Sequence, residues 1–195
     1  MHDEAFKLIL ELLSTGKLSG SNGKHFSYDP LDIVMRPVQR PYPPLWYPVI
    51  DVDRARWVGS QGINTVTLLG ANANTRALIE AYAEAFQDNL TSPDRLNAHV
   101  RQPMFGMVRQ VYIAENHDDA MREARAAYEK HKKSFLYLWD FFGEAEHHAW
   151  LKDWDGQLKA GGLMVGTPSE IKEQLLQQLD VTGANYFVPT SASVT

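Results

Sequence analysis

The sequence predicts an α/β fold built on a parallel sheet, and three observations carry that expectation. Four short segments rich in β-branched and aromatic residues occur at 45–50, 64–69, 107–114 and 185–189. Each is separated from the next by a stretch with helical periodicity, the alternation that βα crossover units need. Several of those helical stretches open on Asp, Asn or Thr-Pro and close on Gly, so their boundaries carry their own chemistry.

The first helix is read at 3–14, where Phe6, Ile9, Leu10 and Leu13 share a face and Ser14-Thr15-Gly16 ends it. Residues 16–44 carry turn formers and prolines and read as an irregular excursion with room for a small hairpin. The run RPVQRPYPPLWYPVI at 36–50 holds five of the ten prolines and leads stiffly into the first strand. Pro48 withholds a ladder donor, which suits a strand end or an edge. Asp51 then caps a short helix at 52–61, closed by Gly62. The strand at 64–69 leads to a helix at 75–87 with Leu78, Ile79, Tyr82 and Phe86 on one face. A long polar loop at 88–103 follows.

The strand at 107–114 precedes a helix at 117–132 with acid in its first turn, extending toward the aromatic block at 135–142. Residues 143–160 mix charges, two histidines and two tryptophans without a clean period and read as an irregular insertion. Thr167-Pro168-Ser169-Glu170 is a capping box with proline at the first helical position, opening a helix at 168–179 before the last strand. One domain over 1–195 is expected, with about four parallel strands and flanking helices. A closed barrel of eight βα units takes about 250 residues, so the chain holds about half of one.

Composition excludes several classes of function. Hydrophobic content of 44% and charged content of 22% are those of an ordinary soluble chain. A net charge of −5 supplies no basic field, which argues against nucleic acid or an anionic membrane as partner. The absence of cysteine removes disulfides, thiolate metal sites and cysteine nucleophiles, and suits a cytoplasmic location. No stretch approaches the roughly 20 apolar residues of a bilayer span, and residues 1–4 lack the start of a secretion signal. A Ser–His–Asp elbow and a Walker-type phosphate loop are both missing, and Gly161-Gly162 alone is too weak a motif.

The string RPVQRPYPPLWYPVIDVDRARWVGSQGINTV resembles the luciferase-like flavin-dependent oxidoreductases, a (β/α)₈ family that includes bacterial luciferase and many flavin mononucleotide (FMN) monooxygenases. It shows the family's proline-rich lead into a barrel strand, then a loop, then a helix patterned on A-x-W-A-x-x-x-G. FGMVRQVYIAENHDDAMREARAAY looks like a later strand–helix unit, and MVGTPSEIKEQL with GANYFVP looks like the last helix–strand unit. The likeness covers nearly the whole chain and is to the C-terminal half of the barrel, so it implies a TIM-type half-barrel. Family members carry about four βα units before the first helix and usually a closing helix after the last strand. Both ends are therefore expected to be short of the family pattern.

The activity so implied is monooxygenation with reduced FMN and O₂, or hydride transfer with a deazaflavin in related branches; no metal is implied. The implied partners are a small-molecule substrate, a flavin reductase, and either a second copy (a homo-oligomer) or a complementary N-terminal half. Such a partner covers the sheet edges and apolar interior that half a barrel exposes. The alternative is a non-catalytic, shortened homologue that holds flavin or serves assembly.

By the same resemblance the cofactor phosphate belongs at the loop 51–54, with Tyr47, Asp51, Val52 and Arg54 as candidate cofactor-binding residues. In the family, hydroxyl side chains and backbone N–H groups hold the phosphate at this helix N-terminus. Here the matching positions carry Asp51 and Asp53, which repel a phosphate, and Arg54 offsets part of that. An ordinary Asp N-cap is the plain reading of the same residues. Tyr47, Thr67 and Leu69 lie on strands whose ends face a flavin in that fold, or else fill the core. Arg109 and Gln110 line a polar site or mark where the barrel is incomplete.

His147 and His148, with Glu144 and Glu146, read as a solvated patch, because adjacent histidines diverge on a helix. Trp150 and Trp154 cover a site mouth or pack as an i, i+4 pair. No catalytic residue is assigned, since those facing the reactive flavin edge in the family, its histidine included, come largely from the N-terminal strands.

Overall fold

The computed structural model describes residues 1–33, 35–68, 70–144, 146, 148 and 153–190. They form two compact units, Met1–Leu45 and Trp46–Thr195. In the first, helix α1 (His2–Thr15) ends on Gly16, whose φ of 74° and N–H bond to the Leu12 carbonyl make a left-handed C-cap. The excursion is indeed a small hairpin of two antiparallel pairs. β1 (Lys17–Leu18) pairs with β4 (Leu31–Asp32), and β2 (Ser21–Asn22) pairs with β3 (Ser27–Tyr28). Two carboxylates of α1 hold it: Glu11 accepts from the Ser19 backbone and hydroxyl, and Glu4 accepts from the His25 and Phe26 N–H groups. The Ser19 bonds keep the Glu11 carboxyl below the usual carboxylate range.

The second unit is a parallel sheet with its helices. In chain order it runs β5 (Trp46–Val49), α2 (Val52–Ser60), β6 (Asn64–Thr67), α3 (Asn72–Asp88), β7 (Phe105–Ile113), α4 (His117–Phe141), α5 (Trp154–Ala160), β8 (Leu163–Gly166), α6 (Pro168–Thr182) and β9 (Tyr186–Thr190). The four expected strands are present within two residues of their predicted bounds. Two elements were not legible in the sequence, α5 within the region read as an insertion and β8 just beyond it. α5 forms because Asp153 caps it, accepting from the Gly156 N–H, and Gly161 ends it at φ 83°. β8 is too short and too buried to show an alternating pattern.

β7 organises the sheet. β6 pairs with its start, Thr65 with Phe105 through Thr67 with Met107; β9 pairs with 106–110, and β8 pairs with 110–113. Along a parallel strand the backbone groups of alternate residues point to alternate edges. The Met104 carbonyl accepts from Thr65 and the Gln110 N–H donates to Gly162, whereas the Phe105 carbonyl accepts from Asn185. β6 and β8 therefore follow one another along one edge of β7, and β9 takes the other. The sheet is four strands wide, β5-β6-β7-β9, with β8 extending the β6 column. Among the described residues β5 pairs only with β6, so Pro48 stands on an edge strand as its missing donor predicts.

One face of this sheet is a core. Val49, Thr67 and Met107 form a row across three strands and are at most 2% exposed under the helices. Ala55 and Val58 of α2 and Leu78, Ile79 and Tyr82 of α3 complete the packing. The Tyr82 hydroxyl donates to the Ile63 carbonyl at 2.9 Å, and burial raises its pKa far above the phenolic range. α2 and α3 touch backbone to backbone: a Cβ built on Gly59 would stand 2.3 Å from the Tyr82 carbonyl oxygen. Glycine is required here by proximity. Gly59→Ala is expected to force the helices apart and lower stability by about 1–3 kcal/mol, read as a lower midpoint in urea at unchanged slope.

Candidate functional site

In sheets of this kind, ligands bind at the carboxyl ends of the strands, where the βα loops meet. At the end of β5, three of the four sequence candidates come together. Asp51 is the N-cap of α2, its Oδ1 accepting the Arg54 N–H at 2.8 Å. The Arg54 guanidinium lies 5.6 Å from the centre of the Tyr47 ring and 5.3 Å from that of Trp57. Tyr47 and Trp57 themselves meet edge-on at 5.6 Å. Tyr47 thus turns toward α2, and Arg54 is stacked on two aromatic faces. Val52 follows the cap, partly exposed, and Asp53 adds a second carboxylate to the first turn.

Whether this turn suits a phosphate is decided by magnitudes. The helix end favours an anion by about 0.3–1 kcal/mol. A carboxylate about 4 Å from a phosphate charge opposes it by about 1 kcal/mol in bulk water and about 4 kcal/mol at an effective dielectric of 20. The repulsion is the larger effect. With the Asp51 carboxylate in the cap, the turn by itself opposes a phosphate, and Arg54 is the side chain there that offsets part of the opposition.

The end of β6 leads into a buried polar cluster on the helix-covered face. Arg109 of β7 is completely buried, and among the described residues no carboxylate pairs with it. Its Nε donates to Gln178 Oε1 at 2.8 Å, one terminal nitrogen to the Val108 carbonyl at 3.0 Å, and the other to Asn72 Oδ1 at 3.0 Å and Thr75 Oγ1 at 3.2 Å. Burial pulls its pKa down to about 10, so it stays charged at neutral pH. Thr67 joins the cluster, its hydroxyl 3.4 Å from that of Thr75. Gln110, the other polar residue of that pair, lies with Tyr112, Tyr128 and His131 around a cavity of about 20 Å³. That is room for about one water and no cofactor.

Two further loops are tied together at the same end. His117 Nδ1, in the first turn of α4, is 3.0 Å from Glu170 Oε1, in the first turn of α6. The other oxygen of Glu170 accepts the Thr167 N–H, completing the capping box. The Thr167 bonds, and then His117, hold the Glu170 carboxyl below its usual range. Sequence reading found each residue as a helix start but had no means of pairing them across 53 positions.

The remaining candidates are placed as follows. Leu69, His147 and Trp150 lie outside the described residues. His148 packs its ring 4.3 Å from Trp139 and 5.8 Å from Phe135. Trp154 is 4% exposed and meets Tyr128 edge-on at 5.2 Å, in a core with Ala120, Ala124, Leu163 and Val165. Among the described residues no group of three or more His, Cys, Asp or Glu is placed to hold a metal ion, and no helix is long and apolar enough to cross a membrane.

On the second face of the sheet, α4 and α5 pack at the far end of β7, against Tyr112 and against Leu163 and Val165 of β8. Pro48, Val66, Gly106 and Tyr186 form a row of this face across all four strands. The rings of Trp46 on β5 and Tyr186 on β9 meet at 5.2 Å across the two intervening strands, so the sheet curls toward this face. Gly106 permits it, since a Cβ there would stand 3.1 Å from the Tyr186 ring and 3.0 Å from Val66. Trp46, Leu68 and Tyr186 nevertheless remain 41–51% exposed.

Comparison with known proteins follows the same outline. The model of a family described as luciferase-like monooxygenase matches residues 1–185. The uncharacterized protein y4wF of Sinorhizobium fredii is 27% identical over 185 residues, covering 95% of this chain and 52% of that protein. Three solved structures share the fold. The monooxygenase RslO1 of Streptomyces bottropensis superposes with a TM-score of 0.71 at 17% identity, over 98% of this chain and 54% of its own. An F420-dependent secondary alcohol dehydrogenase gives 0.67 at 18%, over 98% and 56%. The oxygenating constituent of a 3,6-diketocamphane monooxygenase of Pseudomonas putida, in complex with FMN, gives 0.65 at 14%, over 97% and 55%. The chain spans about half the length of each.

Removal of the buried guanidinium tests what holds the carboxyl end. Arg109→Met orphans the acceptors on Gln178, Asn72 and Thr75, and is expected to cost about 2–4 kcal/mol in urea unfolding. Adding Gln178→Leu is expected to recover part of that loss, which a double-mutant cycle would read directly.

Proposed function

The chain belongs to the luciferase-like monooxygenase family, and from that premise we propose that it is the carboxyl-terminal half of a (β/α)₈ oxidoreductase working with a reduced flavin or deazaflavin. The observation that carries this reading is the sheet itself, parallel, four strands wide and curled, with Trp46, Leu68 and Tyr186 of its inner face left half exposed. A four-unit N-terminal half supplies the missing cover and the missing strands. The structural neighbours include an FMN complex and an F420-dependent enzyme at similar distance, which supports the shared ring system more than either cofactor alone. When bound, such a cofactor supplies oxygen activation or hydride transfer, and the protein positions it. The partners this reading calls for are a small-molecule substrate and, for FMN, a flavin reductase; the compartment it suits is the cytoplasm.

We place the phosphate end of the cofactor at the first turn of α2, near Tyr47, Asp51, Val52 and Arg54, with Arg54 as its cation and Asp51 as the group that opposes it. A second reading is favoured by that opposition. In it the chain closes the barrel as a non-catalytic, flavin-holding or assembly half, without gripping the phosphate.

Flavin fluorescence titrations separate these readings. Asp51→Ser keeps a helix cap while removing the charge, and is expected to tighten FMN binding at least five-fold while leaving riboflavin, which has no phosphate, unchanged. Equal effects on both ligands, or none, would remove the phosphate from α2. Joined with a complementary N-terminal half, the chain is expected to bind flavin and to support oxygen uptake with a reductase and NADH. A stable reconstituted barrel that binds no flavin establishes the non-catalytic reading.

A further inference from the structure

The turn between β2 and β3 holds a reactive pair of residues. Asn22 ends β2, is exposed, and is followed by Gly23; of the chain's asparagines it alone precedes a glycine. Among the described residues no hydrogen bond holds its side-chain amide. Asn64, Asn72, Asn89, Asn97, Asn116 and Asn185 are each held by at least one.

We propose that Asn22 is a site of self-modification, converted by the chain to aspartate and isoaspartate at a pace that Glu4 of α1 governs. The Gly23 amide nitrogen attacks Cγ of Asn22, and no Cβ on Gly23 shields it. The new N–Cγ bond displaces the side-chain amine, which leaves as ammonia with the proton that the Gly23 nitrogen held. The cyclic imide then takes up one water. Breaking the new bond gives aspartate; breaking the original peptide bond leaves the backbone running through Cγ, as isoaspartate. No electrons are transferred, and water is the only co-reactant.

The folded hairpin restrains this reaction. The Gly23 N–H donates to the Phe26 carbonyl at 2.9 Å and Asn22 is paired with Ser27, so the nitrogen is not free to turn onto Cγ. Strands of two residues do not hold such a turn by themselves. Glu4 closes it, its carboxylate accepting the His25 N–H at 3.2 Å and the Phe26 N–H at 3.1 Å. The same carboxylate lies so near Gly23 that a Cβ there would fall onto it. Hairpins open and close in microseconds, far faster than an amide rearranges. The rate is therefore the chemical rate multiplied by the open fraction, and Glu4 sets that fraction.

The product undoes the contacts that restrained it. Isoaspartate inserts a methylene into the backbone and shifts residue 22 out of register with Ser27. Either product puts a carboxylate next to the Gly23 on which Glu4 rests, and the two charges repel. Each molecule thus loosens its turn from α1 once, without return. The site lies in the first unit and does not rest on the cofactor reading.

Ageing the full chain in mildly alkaline buffer and mapping its peptides tests the proposal. Asn22 is expected to change from amide to acid before any other asparagine does, and the aged chain to become a substrate for an isoaspartate-specific methyltransferase. Glu4→Gln removes the charge and keeps the shape, and is expected to speed the change about five-fold. Lys7→Gln, at an exposed position of the same helix, is expected to leave the rate as it was. The urea-unfolded chain gives the unrestrained rate, which the native chain should fall below. Amide exchange at His25 and Phe26 should quicken once Asn22 is modified. An Asn22 that stays an amide while another asparagine changes overturns the proposal. So does a rate indifferent to Glu4→Gln, or one equal in the native and unfolded chains.

Discussion

Parallel strands are joined by crossover helices, and such sheets persist only when both faces are covered. This constraint governs the second unit. Its helices supply one cover, and they do so closely enough that Gly59 and Tyr82 touch through their backbones. The other face is covered by α4 and α5 at the far end of β7, and around Gly106 it is left to side chains. Tyr186 crosses Gly106 to reach Trp46, which shelters part of the row but leaves both rings half in water. A chain that aligns with about half of each relative has, correspondingly, about half of a closed interior.

The carboxyl end, where a ligand belongs, is built from longer-range interactions. Among the described residues Arg109 has no counter-charge, and its desolvation is offset by four neutral acceptors drawn from the start of α3, from α6 and from its own strand. The guanidinium therefore fixes the start of α3 against the sheet. On the other side of the same end, β7 outruns β6, and β8 occupies the space beyond it. α4 and α5 then pack on that extension through Tyr128 and Trp154, where burial raises the Tyr128 phenol to about 12. The length of one strand thus decides what stands above the end of its neighbour.

Much of this was legible in the residues. Asp51, Asn116 and Thr167 marked three helix starts, and each is a cap whose side chain accepts from the third residue beyond it. Pro48 marked an edge, and β5 is one. The family could be read from the proline-rich lead and the units that follow it, and the match over residues 1–185 agrees. The candidate site was legible only as a location. Tyr47 and Thr67 were recognisable as strand residues near its rim, but alternation alone does not say which face is the interior. Trp154 was readable as cover for a site mouth or as one of an i, i+4 packing pair, and the core that takes it in comes from α4 and β8.

Local chemistry determined where elements begin and end, because a cap, a proline or a left-handed glycine acts over a few bonds. The sequence alone thereby specified the order of strands and helices, α5 and β8 apart, and the kinship of the chain. What each polar side chain does was decided only by the tertiary structure. Arg109 became a buried clamp because 37 and 69 positions away stand the acceptors that satisfy it, Asn72 and Gln178, and His117 met Glu170 because two loops converge. Such partners are set by the sheet's curl and register, properties of the assembled backbone that no local run of residues encodes.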